Sequence, residues 1–337
     1  MLTPNGKKSG HPYKLLNNKY RDRMVYIYEG DFLILPKFLQ KGDKVALIAP
    51  SGPQPEERLN DALSSVHEFG LEPVLFPCCT KKLGYLAGTD AERAIDLSAA
   101  FSSGDIKAVI CIRGGYGAHR LLDYVDFDTI AASEKPLYGY SDITALHMEM
   151  NKRGVVSWHT PMPGTEWYKG LDEFTRQSVN AALFGPMPEK LVNPENSAAI
   201  KVLVPGKAEG AVCGGNLSLV CSTIGTFYEI DTKGKIIFLE DVEEQPYCVD
   251  RMLLQLRHSG KFEDCAGLVF GTFTDCEPKD AEESLTIDDV IIELAGHIKK
   301  PVISGFQCGH ILPSACLPLG ARILLDADNA EMTVLGF

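Results

Sequence analysis

The chain has 337 residues, 45% of them hydrophobic and 23% charged, which is enough for two domains of ordinary globular composition and too apolar for a mainly disordered chain. With 33 Lys and Arg against 45 Asp and Glu, the formal net charge is −12. That balance excludes a protein that grips nucleic acid or an anionic membrane through bulk charge.

Residues 1–23 are polar and basic without apolar periodicity and read as an extension. They lack the apolar stretch and small-residue cleavage site of a signal peptide. No run approaches the ~18–20 apolar residues of a membrane span, so a cytoplasmic location is expected. The strand-like segment from Met24 leads in to about residue 39. The pattern then becomes regular. Lys44–Pro50 (KVALIAP) is a short apolar run before Ser-Gly-Pro, which predicts a buried parallel strand and a turn. Residues 55–69 space Leu59, Leu63, Val66 and Phe69 as a helix does and stop at Gly70. Residues 71–77 predict a strand, 91–103 a helix, 106–112 a third strand, 118–125 a helix, 135–140 a fourth strand and 141–154 a helix. This alternation predicts a doubly wound α/β domain with a mainly parallel sheet over 40–184. Residues 185–200 are rich in Pro and Asn and read as a linker. Strand-like segments dominate 201–337, with two or three helices between them, so the second domain is β-rich and barrel- or sandwich-like.

Ten cysteines occur without a single C-x-x-C, and several sit inside apolar runs. Buried free thiols are expected rather than a disulfide framework or zinc site.

Two segments carry the features of a site. In Tyr138-Gly139-Tyr140-Ser141-Asp142-Ile143-Thr144 an apolar strand runs into a glycine, a serine and a helix start. A serine there projects its hydroxyl from the carboxyl edge of the sheet, beside free helix N–H groups. Such a turn suits a nucleophile, although a plain helix cap uses the same residues. Arg113-Gly114-Gly115-Tyr116-Gly117 follows another strand. Its glycines suit an oxyanion hole built from the Gly115 and Asp142 N–H groups, or a simple tight turn. The dinucleotide fingerprint is missing, which disfavours a nicotinamide enzyme. A serine nucleophile needs a base. His159 and His310 lie in loops that could line a pocket, and Glu240 ends the buried run KIIFLE. A salt bridge to Arg251 would explain Glu240 equally well. Spacing alone does not link Ser141, Glu240 and His310.

Taken together, GDKVALIAPSGP at 42–53, RGGYGAHRLLDYVDF at 113–127, GYSDITALH at 139–147, HTPMP at 159–163, EGAVCGGNLSLVCSTIGT at 209–226, FLEDVEEQPYCVDRMLLQL at 238–256 and CGHILPSACLPLGA at 308–321 resemble the LD-carboxypeptidase family of serine peptidases. That family includes muramoyltetrapeptide carboxypeptidases and microcin C7 self-immunity proteins. The resemblance implies an N-terminal α/β domain, a C-terminal barrel-type domain and a homodimer. It implies a catalytic triad of Ser141, Glu240 and His310, with the last two supplied by the second domain, and an oxyanion hole at Gly115 and Asp142. Arg113, Gly114, Tyr116, His159, Pro161 and Met162 would contact the substrate, a small muropeptide-like peptide, with Arg113 either holding its terminal carboxylate or merely bracing the loop. No metal and no cofactor are implied. The family more often has Gly where Thr160 stands. Two rival readings stay open. One is an immunity-type hydrolase of aminoacyl nucleotides, for which Trp158, Trp167 or Tyr168 would stack on the base. The other is a non-catalytic ligand-binding protein in which Ser141 only caps a helix.

Overall fold

The computed structural model describes residues 25–28, 31–280 and 283–335; the extension expected over 1–23 lies outside the described residues. Strands β1 (Val25–Tyr28) and β2 (Asp31–Ile34) pair as an antiparallel hairpin. Then follow β3 (Lys44–Ile48), α1 (Leu59–Glu68), β4 (Glu72–Leu75), α2 (Asp90–Ser102), β5 (Ala108–Cys111), α3 (Phe127–Ala132), β6 (Leu137–Gly139), α4 (Thr144–Lys152), β7 (Ser157–His159) and α5 (Glu173–Phe184). The back half runs β8 (Lys190–Leu191), β9 (Lys201–Val204), β10 (Lys207–Asn216), α6 (Leu217–Ser222), β11 (Ile236–Val242), α7 (Pro246–His258), α8 (Lys261–Asp264), β12 (Gly267–Thr274), α9 (Ile287–Ala295), β13 (Val302–Ser304), β14 (Leu317–Leu319), β15 (Arg322–Asp326) and β16 (Glu331–Val334).

The first sheet has the order β14-β7-β6-β5-β3-β4. Its pairs are parallel except β14 with β7. The apolar runs at β3 and β5 are buried from end to end because helices cover both faces. Local chemistry sets the helix starts. Thr89 and Glu92 close a capping box on α2, and the Asp126 carboxylate takes the Asp128 and Thr129 N–H groups to open α3. The helix expected over 118–125 is only a 3₁₀ turn, Ala118–Leu121. The Ala118 N–H is bound by the Asp142 carboxylate, and Asp126 restarts the chain as α3.

The second sheet has the order β8-β16-β15-β10-β11-β12-β13-β9 and curls as a half-barrel. β10, β11, β12 and β13 are parallel to one another, and antiparallel strands flank them. Helices α7 and α9 lay Val249, Leu253, Leu256, Val290 and Leu294 on one face. Part of the linker expected over 185–200 is strand β8, paired to β16. All ten cysteines are free thiols and nine of them are buried. Among the described residues, no helix is long and apolar enough to cross a membrane.

The two sheets share chain. β14, from the back half of the sequence, forms an edge of the first sheet. At the junction, the Asn216 N–H at the end of β10 donates to Thr144 Oγ1 at the start of α4, at 3.0 Å. The carboxyl ends of β6 and β11 and the loop after β13 therefore open into one crevice, where parallel sheets commonly hold ligands.

Candidate active site

Ser141 follows β6 by two residues and begins a single 3₁₀ turn that leads into α4. Its φ is +64°, a conformation unfavourable for a residue with a Cβ. The surroundings enforce it. The Gly139 carbonyl accepts from the Thr160 N–H at 3.2 Å and from His147 Nε2 at 2.9 Å. His147 Nδ1 in turn accepts from the Ser157 hydroxyl at 2.8 Å. Burial pushes the His147 pKa down to about 4, against the pull of its bond to Gly139, so the ring is a neutral strut. On the other side, the Asp142 carboxylate accepts from the Ser51 hydroxyl at 2.6 Å and the Ala118 N–H at 2.7 Å. Burial raises the pKa of Asp142, and those bonds oppose the rise.

Glu240 is wholly buried. The pairing of β11 with β12 slips between Leu239 and Asp241, so Glu240 stands at an irregularity of the kind that re-aims a side chain. His310 Nδ1 lies 2.7 Å from Glu240 Oε2, and His310 Nε2 lies 2.9 Å from Ser141 Oγ. A carboxylate only accepts, so Nδ1–H donates to Glu240 and Nε2 is left to accept from the serine. Burial disfavours the imidazolium, but the charge and hydrogen bond of Glu240, with Glu166 and Asp241 further off, outweigh it and raise the His310 pKa. The partner of Glu240 is thus His310 rather than Arg251. Asp241 is engaged elsewhere, accepting from Asn216, Ser218 and the Val242 N–H.

Two glycines allow this approach. A Cβ on Gly309, at φ +133°, would stand 2.7 Å from both Glu240 Oε2 and Thr272 Oγ1. A Cβ on Gly114 would lie 3.1 Å from Ser141 Cβ. The Gly114 carbonyl is pinned by the Gly52 N–H at 3.1 Å.

Ser141 and His310 open on a cleft of about 480 Å³, lined also by Arg113, Gly114, Gly115, Tyr140 and Met162. Arg113 Nη1 donates to the Pro53 carbonyl at 3.1 Å, and burial, with the charge of Arg58, lowers its pKa. Three expected contact residues are not on the lining. Tyr116 turns outward and packs edge-on against Tyr85 and His119. His159 is buried behind Tyr140 against Phe238, and burial holds it neutral. Pro161 is buried, and its carbonyl accepts from the Trp167 indole at 2.8 Å. Trp158 and Trp167 are themselves buried, and Tyr168 lies under Arg58 and Lys169.

The lining adds residues that motif reading missed: Arg58, Thr165, Glu166, Lys169, Val242 and Glu243. An acid inside the Pro- and aromatic-rich stretch 158–170 was the available signal for Glu166.

Comparison with known proteins agrees with this architecture. Residues 45–160 match the LD-carboxypeptidase N-terminal domain and 209–325 the LD-carboxypeptidase C-terminal domain. A probable murein peptide carboxypeptidase of Bacillus subtilis is 41% identical over 304 residues, spanning 89% of this chain and 93% of that protein. The crystal structure of muramoyltetrapeptide carboxypeptidase from Oxalobacter formigenes superposes with a TM-score of 0.76 at 32% identity, covering 86% of this chain and 97% of that one. The microcin C7 self-immunity protein MccF, in complex with glutamyl sulfamoyl guanosine, gives a TM-score of 0.78 at 25% identity, covering 90% and 98%. The chain belongs to the LD-carboxypeptidase family of peptidases.

Proposed function

We propose that this protein is a serine-type LD-carboxypeptidase that releases a terminal D-amino acid, D-alanine, from a peptidoglycan-derived tetrapeptide. The observation that carries the reading is the bridge His310 makes between Ser141 Oγ and Glu240. In this reading His310 Nε2 takes the Ser141 proton as Oγ attacks the carbonyl between an L-centre and the terminal D-residue. Glu240 fixes the imidazole tautomer and stabilises its charged form. The Gly115 and Asp142 N–H groups receive the developing oxyanion. His310 then returns the proton to the departing amine, and the free amino acid leaves. Water, deprotonated by His310, attacks the Ser141 ester and regenerates the enzyme. Arg113, at the cleft wall, holds the terminal carboxylate. The same reading has the protein act as a homodimer in the cytoplasm.

The test offers one preparation a muropeptide tetrapeptide, an L,L-peptide and an aminoacyl sulfamoyl nucleotide, and follows products by mass spectrometry. Loss of D-alanine from the first alone is expected. Ser141→Ala should lower the rate by at least about 10³-fold with the fold intact. Cleavage of the nucleotide conjugate alone would make the protein an immunity-type hydrolase. Undiminished turnover by Ser141→Ala would remove the serine mechanism.

A further inference from the structure

A second line of side chains ends on the His310 imidazole. Tyr140 precedes the nucleophile, and its ring lies 4.6 Å from that of His310, tilted by 51°. Its phenol donates to Glu166 Oε1 at 2.8 Å. Glu166 Oε2 accepts from the Met162 N–H at 2.9 Å and from the Thr165 hydroxyl. Three donors on two oxygens make Glu166 a fixed anion rather than a mobile surface acid. The loop that carries it is tied down by the Trp167 indole on the Pro161 carbonyl.

We propose that Tyr140 and Glu166 are positioning residues for His310. Tyr140 sets the plane of the imidazole, and Glu166, fastened behind it, supplies a second negative charge that favours the imidazolium formed during turnover. The proposal rests on the reading of His310 as the general base. An aromatic face at this distance attracts a cation, and an anion on the far side of the phenol polarises that ring in the same sense. The groups facing His310 are Glu240 and Asp241 on β11, Ser141 and Tyr140 on the nucleophile turn, Glu166 on its loop, and His159 on β7, with Glu243 and the opposing cations Arg58, Arg113 and Lys169 elsewhere on the cleft lining. Burial holds His159 uncharged, so it does not compete for the proton. Glu240 dominates and Glu166 acts in the same direction.

The experiment compares kcat and kcat/KM across pH for the full chain, Glu166→Gln and Tyr140→Phe. Gln keeps an acceptor for the phenol and removes the charge. Phe keeps the ring and removes its anchor. For Glu166→Gln the plateau kcat falls about tenfold. Its acid limb moves to lower pH, because the base holds its proton less tightly. For Tyr140→Phe kcat falls about threefold with the limb in place, since the charge at Glu166 remains. A Glu166→Gln limb that superimposes on the wild type, or a loss carried wholly by KM, overturns the proposal. A second measurement needs no substrate: NMR titration of the His310 ring in the Ser141→Ala background, assigned by its absence from His310→Gln. Adding Glu166→Gln lowers the midpoint if the proposal holds, and an unmoved midpoint refutes it. If no peptide is hydrolysed by the wild type, the proposed function fails while the titration still decides the role of Glu166.

Discussion

Ser141, the proposed nucleophile, and the His310–Glu240 pair proposed to serve it are held by different means. On the first sheet, Ser141 is placed by its own backbone: a left-handed φ, a glycine carbonyl gripped from two sides, and a buried carboxylate bracing the next residue. On the second, Glu240 and His310 meet because a side chain is missing between them, at Gly309. The front half depends chiefly on torsion and hydrogen bonds, with room left at Gly114, and the back half chiefly on the space that Gly309 leaves beside Glu240. Such devices fail differently. A substitution that keeps the backbone leaves the serine aimed, whereas one extra methyl group at Gly309 makes Glu240 or Thr272 shift.

Gly309→Ala is the strongest way to break that contrast. The new Cβ meets Glu240 Oε2 and Thr272 Oγ1 at 2.7 Å on a backbone at φ +133°, and one of them must yield. A displacement of the order of 1 Å in a catalytic group costs about 10²-fold in rate, and overpacking costs about 1–3 kcal/mol of stability. Steady-state kinetics and urea unfolding check both. Activity within threefold of the wild type would mean that the back half has slack, and the contrast would dissolve.

The same contrast explains what was readable in the sequence. The Ser141 turn is a local event of strand, glycine, serine and helix, so seven residues suffice to suggest it. Glu240 and Ser141 lie 70 and 169 residues from His310, and no spacing rule joins them; only a resemblance spanning several motifs did. Glu166 escaped because its bond to Tyr140 depends on a loop folding back over a residue 26 positions away. Tyr116, His159 and Pro161 lie in segments that carry the resemblance, but membership of a motif does not say which way a side chain turns. The alternation of strands and helices came through because burial on both faces leaves unbroken apolar runs. The pairing of β14 with β7 did not, since a three-residue strand carries too little pattern to name a distant partner.

His147 sharpens the front half. Its pKa is about 4 in the folded protein against 6.5 for the free side chain. The unfolded chain therefore takes up the proton first as pH falls. The stability contributed by the neutral ring is fully present above pH 6.5 and is lost on descending toward pH 4, up to ~3 kcal/mol. His147→Gln keeps a donor for the Gly139 carbonyl without a titrating group. Urea unfolding at pH 7.5 and 4.5 should give a smaller difference for the variant than for the wild type. Equal differences would mean that the strut titrates freely and does not hold the turn as a neutral ring. His159, also buried and held neutral, keeps part of the slope in both proteins.

The smallest effect isolates the torsion at Ser141. Ser141→Ala and Ser141→Gly both delete the proposed nucleophile, so activity does not separate them and stability alone is read. They differ by one Cβ at φ +64°. An L-residue in the left-handed region costs about 1–2 kcal/mol, which glycine avoids. Glycine also frees the unfolded chain, which favours alanine by about 0.4–1 kcal/mol. The difference leaves Ser141→Gly the more stable by about 1 kcal/mol at mid-range and up to about 1.6 kcal/mol, visible as a higher urea midpoint at unchanged slope. Alanine above glycine by about 0.4–1 kcal/mol, the unfolded-chain effect alone, would mean that the turn stores no strain there. The serine would then be held by its contacts, such as Gly114 against its Cβ, and the two halves of the site would be built alike.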